Sequence, residues 1–101
     1  MAARVQRADG PAQDEAALLA RLAADGWSEG YGWGNGSGER YPEHSHGYDK
    51  ALYCVRGSVV FRTAEGDLAL QPGDRLELDR GTAHSAVIGP AGVRCVEAHR
   101  R

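Results

Sequence analysis

Turn-forming residues divide the chain at short intervals from Glu39 to the C-terminus. They fall at Glu65-Gly66-Asp67, at Pro72-Gly73-Asp74, at Arg80-Gly81-Thr82 and at 89–92. The segments between these turns are predicted to be strands, at 40–46, 50–56, 58–63, 68–70, 75–78, 84–88 and 93–98. Glycine accounts for 14 of the 101 residues, roughly double its usual share, as many tight turns require. This spacing predicts an all-β fold, a small antiparallel barrel or double-sheet roll.

The N-terminal part of the chain has a different pattern. Residues 13–25 are rich in alanine and place Leu18, Leu19 and Leu22 on one stripe, which predicts an α-helix that ends at Gly26. Residues 1–11 are polar, and we predict a flexible or edge-lying arm there, followed by a single domain over 12–101. Residues 27–38 are rich in glycine and aromatic residues, and we expect an irregular strand or a loop over a pocket.

Composition and charge argue against several classes of function. A net charge of −2 gives no reason to expect nucleic acid or an anionic membrane as a partner. No apolar run approaches the roughly 20 residues of a membrane helix, and the N-terminus lacks the apolar stretch of a secretory signal. We therefore expect a cytoplasmic protein. Cys54 and Cys95 are far apart in sequence and are expected to be free thiols in a reducing compartment.

Three histidines carry the strongest chemical signal. His44 and His46 are two residues apart in a predicted strand, so their side chains point to the same face. His84 follows in a later segment, PGDRLELDRGTAH. Imidazole suits zinc, copper, iron and nickel, and three histidines leave coordination positions open for another ligand. The alternative is a set of histidines whose hydrogen bonds are satisfied within the core.

Two segments of the chain resemble the two sequence motifs of the cupin superfamily. The first family motif is Gly, five residues, His-x-His, three or four residues, Glu, six residues, Gly. The second is Gly, five residues, Pro-x-Gly, two residues, His, three residues, Asn. The spacing is met here by Gly38, His44, His46, Lys50 and Gly57, and then by Gly73, Asp79, Gly81, His84 and Ile88.

The resemblance implies a cupin, a jelly-roll β-barrel whose pocket binds a metal through three histidines and a glutamate. His44, His46 and His84 fall on the histidine positions, so they are the implied ligands of a divalent transition metal such as iron, zinc, nickel or manganese. A homodimer is also implied. Four apolar residues predicted to be exposed would suit such pairing, namely Tyr53, Val55, Val59 and Phe61.

Lys50 stands where the family has its glutamate. A protonated lysine has no lone pair to offer a metal and is repelled by a divalent ion. Three outcomes are open. Lys50 turns away to pair with a carboxylate, for which Asp49 and Glu97 are candidates, or it loses its proton and acts as a base or ligand. In the third outcome the site holds no metal, and Lys50 and the histidines bind an anion.

Four more residues are candidates to bind a substrate. Arg40 shares the predicted strand face of the histidines and could orient an anion, or it could be a rim charge paired with an acid. Trp33 and Asn35 lie in the segment predicted to cover the pocket, although Trp33 would also suit the core. Cys54 has the predicted inward parity of Lys50, which makes it either a lining residue or a packing thiol.

The leading hypothesis is a small cupin that binds or acts on a small polar or anionic molecule at a three-histidine metal site, with Lys50 as catalytic acid or base. The resemblance leaves open whether the protein is an enzyme, and if so whether it is a metal-dependent dioxygenase, isomerase or lyase. One alternative is a non-catalytic ligand-binding or sensor module. The other is a metal-free cupin whose anion pocket is formed by Lys50, Arg40 and the histidines.

Overall fold

The structure, a computed structural model, describes residues 2–100. Within them, seven strands and one helix follow in the order β1 (Ala3–Gln6), α1 (Glu15–Ala24), β2 (Ser28–Asn35), β3 (Arg40–His44), β4 (Asp49–Thr63), β5 (Gly66–Leu70), β6 (Arg75–Leu78) and β7 (His84–Arg100). All paired strands are antiparallel. The predicted all-β fold with one N-terminal helix is confirmed. The described residues contain no helix that is long and apolar enough to cross a membrane.

Two long strands, β4 and β7, form the centre of the barrel. They pair with each other from Asp49, opposite Arg100, to Thr63, opposite His84. The first half of β4 also pairs with β6, and its second half pairs with β5. In the same way, β3 pairs with the beginning of β7 and β2 with its later part, while β1 adds to β6. Each long strand therefore contributes to both sides of the barrel.

The sequence predicts two strands where the structure has one long strand, β4. Register shifts between Cys54 and Arg56 and between Gly57 and Val59 interrupt the β4–β7 ladder without ending it. Gly57 has a φ of 77°, in the left-handed region that favours glycine. A Cβ atom on Gly57 would lie 2.0 Å from the carbonyl oxygen of Gly92. The glycine that looks like a strand terminator in the sequence is therefore the bend of a continuous strand.

The described residues form two hydrophobic clusters. The inner one fills the barrel, and the outer one lies between the sheet and α1. Tyr53 belongs to the outer cluster, and Val59 and Phe61 belong to the inner one, all three being buried. The prediction that these residues are exposed is wrong, because α1 covers Tyr53 and the register shifts change the side to which Val59 and Phe61 point. The apolar surface expected to support a homodimer is thus inside the molecule.

Helix α1 packs on the outer face of the sheet through the predicted leucine stripe. It begins after Asp14, whose carboxylate accepts a hydrogen bond of 2.9 Å from the backbone N–H of Ala17. Such a cap satisfies one of the free amides at a helix N-terminus. Leu18 and Leu22 are buried against the sheet, and Gly26, with a φ of 89°, follows the end of the helix as predicted.

The N-terminal segment contains an edge strand instead of a fully flexible arm. Strand β1 pairs with β6 along its whole length, with Ala3 opposite Leu78 and Gln6 opposite Arg75. Ala3 is only 4% exposed and joins the inner cluster. Strand pairing and this buried side chain hold residues 3–6 at the edge of the sheet, as the edge-lying alternative describes. Met1 lies outside the described residues.

Candidate metal centre

Three histidines converge where β3 meets the start of β7. His44, the last residue of β3, lies opposite His84, the first residue of β7. His46 follows in the loop before β4, beyond the end of the strand in which it is predicted. The ring centroids are 4.3 Å apart for His44 and His84, 4.8 Å for His44 and His46, and 5.3 Å for His46 and His84. The sequence prediction that the three histidines meet is confirmed.

Backbone carbonyl groups set the tautomers of two of the imidazoles. Nδ1 of His44 lies 2.8 Å from the carbonyl oxygen of Pro42, and Nδ1 of His84 lies 2.8 Å from that of Thr82. A carbonyl oxygen only accepts, so each Nδ1 carries the proton and donates it. The Nε2 atom of each ring is then left with a lone pair, which is the form in which histidine binds a metal.

His46 has a side chain as the partner of its Nδ1 atom. The hydroxyl group of Tyr48 lies 3.0 Å from Nδ1 of His46, and the two rings stack with centroids 4.9 Å apart. Nε2 of His46 is buried and has no hydrogen-bond partner among the described residues. A buried nitrogen without a partner is costly unless a ligand satisfies it. This orphaned atom fits a metal ligand.

Two of the three histidines have pKa values lowered by their surroundings. Burial, followed by the positive charge of Lys50, lowers the pKa of His46 to about 4. Burial also lowers the pKa of His84, although its hydrogen bond to the Thr82 carbonyl acts in the opposite direction. Both imidazoles are therefore neutral at pH 7, and a neutral imidazole is the state that can donate a lone pair to a metal.

The ring nitrogens of the three histidines are close enough together to serve one metal ion. One ring nitrogen from each histidine lies within 4.8 Å of the other two. His44 is the exposed member of the cluster, and His84 is the buried one.

Lys50 pairs with Glu97, one of the two partners considered from the sequence. Nζ of Lys50 lies 3.4 Å from Oε2 of Glu97, and the two side chains are 11% and 4% exposed. The other candidate, Asp49, instead accepts a hydrogen bond of 2.7 Å from the backbone N–H of Arg80. The carboxylate that compensates the charge of Lys50 thus belongs to β7, the strand that pairs with β4.

Glu97 is held by a ring of donors. Tyr31 donates its hydroxyl proton to Oε2 at 2.7 Å, and Trp33 donates from Nε1 to Oε1 at 2.7 Å. Nε2 of His99 lies 3.5 Å from Oε2 without forming a hydrogen bond. Burial by itself raises the pKa of Glu97, but the charge of Lys50 and the hydrogen bonds outweigh it and hold the pKa below its ordinary value. Glu97 is therefore an oriented carboxylate, ionised at neutral pH.

A cavity of about 280 Å³ lies over the histidines and the ion pair. All three histidines, Lys50 and Glu97 line it, together with Leu52 and Ala86 from the inner cluster. The remaining walls are aromatic and consist of Tyr31, Trp33, Tyr41, Tyr48 and Phe61. The combination of apolar walls with a few converging polar groups is typical of small-molecule sites.

Arg40 lies outside this cavity. It is exposed and lines a separate shallow groove with Arg62 and Ser85. The predicted alternation that placed Arg40 beside His44 fails because the β3–β7 register shifts between Tyr41 and His44. Tyr41 lines the cavity in place of Arg40. The structure gives no contact between Arg40 and the histidine site.

Of the two candidates in the glycine-rich segment, one lines the cavity and one supports it. Trp33 lines the cavity and bonds Glu97, and its ring meets that of Tyr41 edge to face with centroids 5.9 Å apart. Asn35 accepts a hydrogen bond from the hydroxyl group of Tyr41 through Oδ1. It therefore orients a wall residue and is not itself part of the cavity lining.

Cys54 is a packing thiol and not a cavity residue. It lies opposite Cys95 in the β4–β7 ladder, and both cysteines are fully buried in the inner cluster without a disulfide. A hydrogen bond with Cys54, together with burial, raises the pKa of Cys95, so that thiol stays protonated. The expectation of two free thiols is confirmed, and the alternative of Cys54 as a lining residue is wrong.

Sequence reasoning gave no binding role to several cavity residues. Tyr48 was predictable, because it continues the alternation that runs through His44, His46 and Lys50. Tyr31 and Tyr41 carry no such signal. They reach the cavity because β2 and β3 pair with β7, which is a long-range contact that the local sequence does not encode.

No protein-family model and no curated protein matches the sequence. Solved structures do match. A DUF861 family protein from Thermotoga maritima has a TM-score of 0.66 at 14% identity, covering 97% of this chain and 99% of that one. A cupin-2 domain protein from Shewanella frigidimarina has a TM-score of 0.60 at 14% identity, covering 70% and 69%.

The third similar structure is a named enzyme. DMSP lyase from Ruegeria pomeroyi has a TM-score of 0.67 at 20% identity, and the match covers 71% of this chain but only 37% of the lyase. Identities this low establish the fold alone. The cupin fold predicted from the two motifs is confirmed.

Proposed function

We propose that this chain, whose fold is that of the cupins, binds one divalent transition metal ion through the Nε2 atoms of His44, His46 and His84 and uses the cavity above them for a small polar molecule. One observation carries the proposal. The Nδ1 atoms of His44 and His84 face carbonyl oxygens, which leaves a lone pair on each Nε2, and the third Nε2 atom, that of His46, is buried without a hydrogen-bond partner. Iron, zinc, nickel and manganese are all compatible with such a ligand set.

Each part of the cavity has a distinct role in this proposal. A bound divalent ion supplies Lewis acidity and open coordination positions. Tyr48 orients His46 through its Nδ1 atom. Lys50 holds a proton at Nζ beside Glu97 and is the acid/base group. Trp33 forms part of the wall and excludes water from one side of the ligand.

The reaction class that best suits these residues is proton transfer coupled to bond cleavage or isomerisation. Lys50 is the one side chain of the cavity that carries transferable protons on a cation. Similarity to a DMSP lyase supports testing lyase activity first. The chain spans little more than a third of that enzyme, so the substrate is not carried over.

Cobalt(II) titration of untagged protein, followed by visible absorption, tests the metal site. We expect one equivalent to bind to the unaltered chain, and binding to be lost in His84→Ala and in His44→Ala. His44 is exposed, so its replacement leaves the core intact. His99→Gln is the matched control, because His99 lies beside Glu97 but outside the cluster. Full cobalt binding by folded His44→Ala and His84→Ala proteins would contradict the proposal.

Catalysis is distinguished from binding alone by product release from the metal-loaded protein. Small hydroxy acids and sugar acids probe lyase and isomerase activity, and oxygen uptake with 1,3-dicarbonyl compounds and thiols probes dioxygenase activity. We expect turnover that Lys50→Met abolishes while the metal content stays at one equivalent. Metal binding without turnover of any of these compounds would favour the non-catalytic binding module.

A further inference from the structure

We propose that the ligand of this cavity is a small carboxylate and that Lys50 is the residue that selects it. The inference rests on the proposed function in one respect, since the carboxylate would bridge the histidine-bound metal and Lys50. Three features of the described residues support it: an ammonium group with unused donors, a counter-ion that is already satisfied, and a cavity without any other cation.

The ammonium group of Lys50 is buried with most of its donors unused. It has three protons, and its one acidic partner among the described residues, Glu97, lies 3.4 Å away. A charge-assisted hydrogen bond is typically about 2.7–2.9 Å long. Burying a charge is unfavourable unless hydrogen bonds compensate it. Nζ of Lys50 is therefore a donor group in need of an oxygen acceptor, and the cavity is where one can be placed.

Glu97 does not depend on Lys50 alone. Its two oxygens each accept a hydrogen bond of 2.7 Å from a neutral donor, Tyr31 on Oε2 and Trp33 on Oε1. An incoming carboxylate can accept hydrogen bonds from Lys50 without leaving the oxygens of Glu97 unsatisfied. The arrangement keeps the ammonium in place between two acceptors, one belonging to the protein and one to the ligand.

The rest of the cavity favours a single small anion. Among its lining residues Lys50 is the only lysine or arginine, because Arg40 lies outside. The remaining polar groups are imidazole rings, tyrosine hydroxyls, the Trp33 indole N–H and the Glu97 carboxylate, whose oxygens already accept hydrogen bonds from Tyr31 and Trp33. The volume of about 280 Å³ falls just below the range of roughly 300–1,000 Å³ typical of drug-sized ligands. A carboxylate with a short carbon chain matches this charge and size.

Calorimetric titration of the zinc-loaded chain with malonate, and with malonamide as a neutral analogue, tests the proposal. We expect malonate to bind at least tenfold more tightly than malonamide, since a hydrogen bond to a charged group is lost with the amide. Lys50→Met should reduce this preference several-fold, to the part that the zinc ion supplies, and keep the zinc content at one equivalent. Equal binding of the two compounds to the unaltered chain would overturn the proposal.

Two further variants separate selection by Lys50 from a structural role. Glu97→Gln removes the competing negative charge, so malonate affinity should rise several-fold. If the ion pair had only a structural role, Lys50→Met and Glu97→Gln would both lower malonate affinity. Arg40→Met removes a cation outside the cavity and should change the affinity less than twofold. If Lys50→Met fails to fold, the Lys50→Met/Glu97→Gln double variant replaces it, because no unpaired charge is then buried.

Failure of the metal site and failure of this inference give different results. If zinc does not bind but the metal-free chain still prefers malonate in a Lys50-dependent way, the proposed function fails and selection by Lys50 stands. If zinc binds and the malonate preference of Lys50→Met is as large as that of the unaltered chain, the inference fails and the metal site stands. A loss of preference in Arg40→Met equal to that in Lys50→Met would also overturn the inference, since general surface charge would then explain the binding.

Discussion

Hydrogen bonds to the Nδ1 atoms decide what the three histidines can do. His44 and His84 use backbone carbonyls for this purpose, and His46 uses the hydroxyl group of Tyr48. The backbone contacts survive most substitutions, whereas the contact to Tyr48 depends on one side chain. Tyr48 is therefore the supporting residue of the proposed metal site that can be tested by mutation.

Replacing Tyr48 with phenylalanine should weaken metal binding without removing it. The change leaves Nδ1 of His46 without its oxygen partner, and loss of such a supporting contact typically lowers metal affinity about 10- to 100-fold. Competition of zinc with a chromophoric chelator measures the change. Tyr41→Phe is the control, because its hydroxyl group bonds Asn35 and not a histidine. Equal affinities for the two variants would show that Tyr48 does not orient His46.

Asp74 connects the N-terminal segment to the turn between β5 and β6. Its side chain is 5% exposed and accepts hydrogen bonds from the backbone N–H groups of Gln71 and Ala8 and from Nη1 of Arg7. Burial by itself raises the pKa of Asp74, but these three donors outweigh it and hold the pKa below its ordinary value. The ionised form is therefore more favoured in the folded chain than in the unfolded chain.

This lowered pKa predicts how stability depends on pH. A carboxyl with a depressed folded pKa stabilises the fold above its unfolded pKa of about 3.9, and the contribution is lost as the pH falls through the folded pKa. Asp74→Asn should lower the free energy of unfolding by about 1–3 kcal/mol at pH 7, and the difference from the unaltered chain should shrink below pH 4. Urea unfolding at several pH values measures this. Asp67→Asn, at an exposed carboxylate, is the control. A difference that is constant from pH 7 to pH 2 would contradict the pKa argument.

Among the elements, β4 shows why glycine at a bend cannot be replaced. Gly57→Ala places a Cβ atom 2.0 Å from the Gly92 carbonyl oxygen in addition to the strain of a positive φ. Gly38→Ala carries a similar φ of 71° but has nothing within 4 Å of the added carbon. Gly38→Ala should cost about 1 kcal/mol. Gly57→Ala should cost several-fold more, or prevent folding.

Thermal and urea unfolding of the two glycine variants gives the comparison. Because both have a positive φ, the difference between them isolates the close approach of β4 to Gly92 in β7. Equal destabilisation by the two substitutions would mean that β4 and β7 do not cross as closely as described.

The elements also show what the sequence could and could not predict. The locations of β3, β5 and β6 could be predicted because each of these strands is short and ends near a turn residue. The continuity of β4 through Gly57 and of β7 through the predicted turn at 89–92 could not be predicted. The face of the sheet to which each side chain points could not be predicted either, because register shifts in β3 and β4 depend on pairing with β7. Those shifts turned Arg40 away from the site and Phe61 into it. The histidines escaped this error because their spacing to the motif glycines fixed them independently.

At the scale of the whole molecule, the site depends on the curvature of β7. This strand contributes both His84 and Glu97, thirteen positions apart, to one cavity. A straight strand of 17 residues would be about 56 Å long at roughly 3.3 Å per residue, while the longest dimension of the chain is 32 Å. Bending of β7 brings the histidine pair and the Lys50–Glu97 pair together, and no single segment of the sequence contains that information.

The homodimer stays a prediction from the family resemblance. Tyr53, Val59 and Phe61 cannot support it, because they are buried within the chain. The large hydrophobic residues that are exposed among the described residues, Tyr31 and Tyr41, lie at the cavity. Chain association would therefore have to use other surfaces or cover the cavity itself.

The central claim, a metal held by three histidines, is tested most directly by anomalous diffraction from crystals of the untagged protein. Data collected on both sides of the absorption edge of the metal present locate it without reference to activity. We expect one anomalous peak about 2.0–2.2 Å from Nε2 of each of His44, His46 and His84. A peak elsewhere, or no peak at this position even after soaking with zinc, would contradict it.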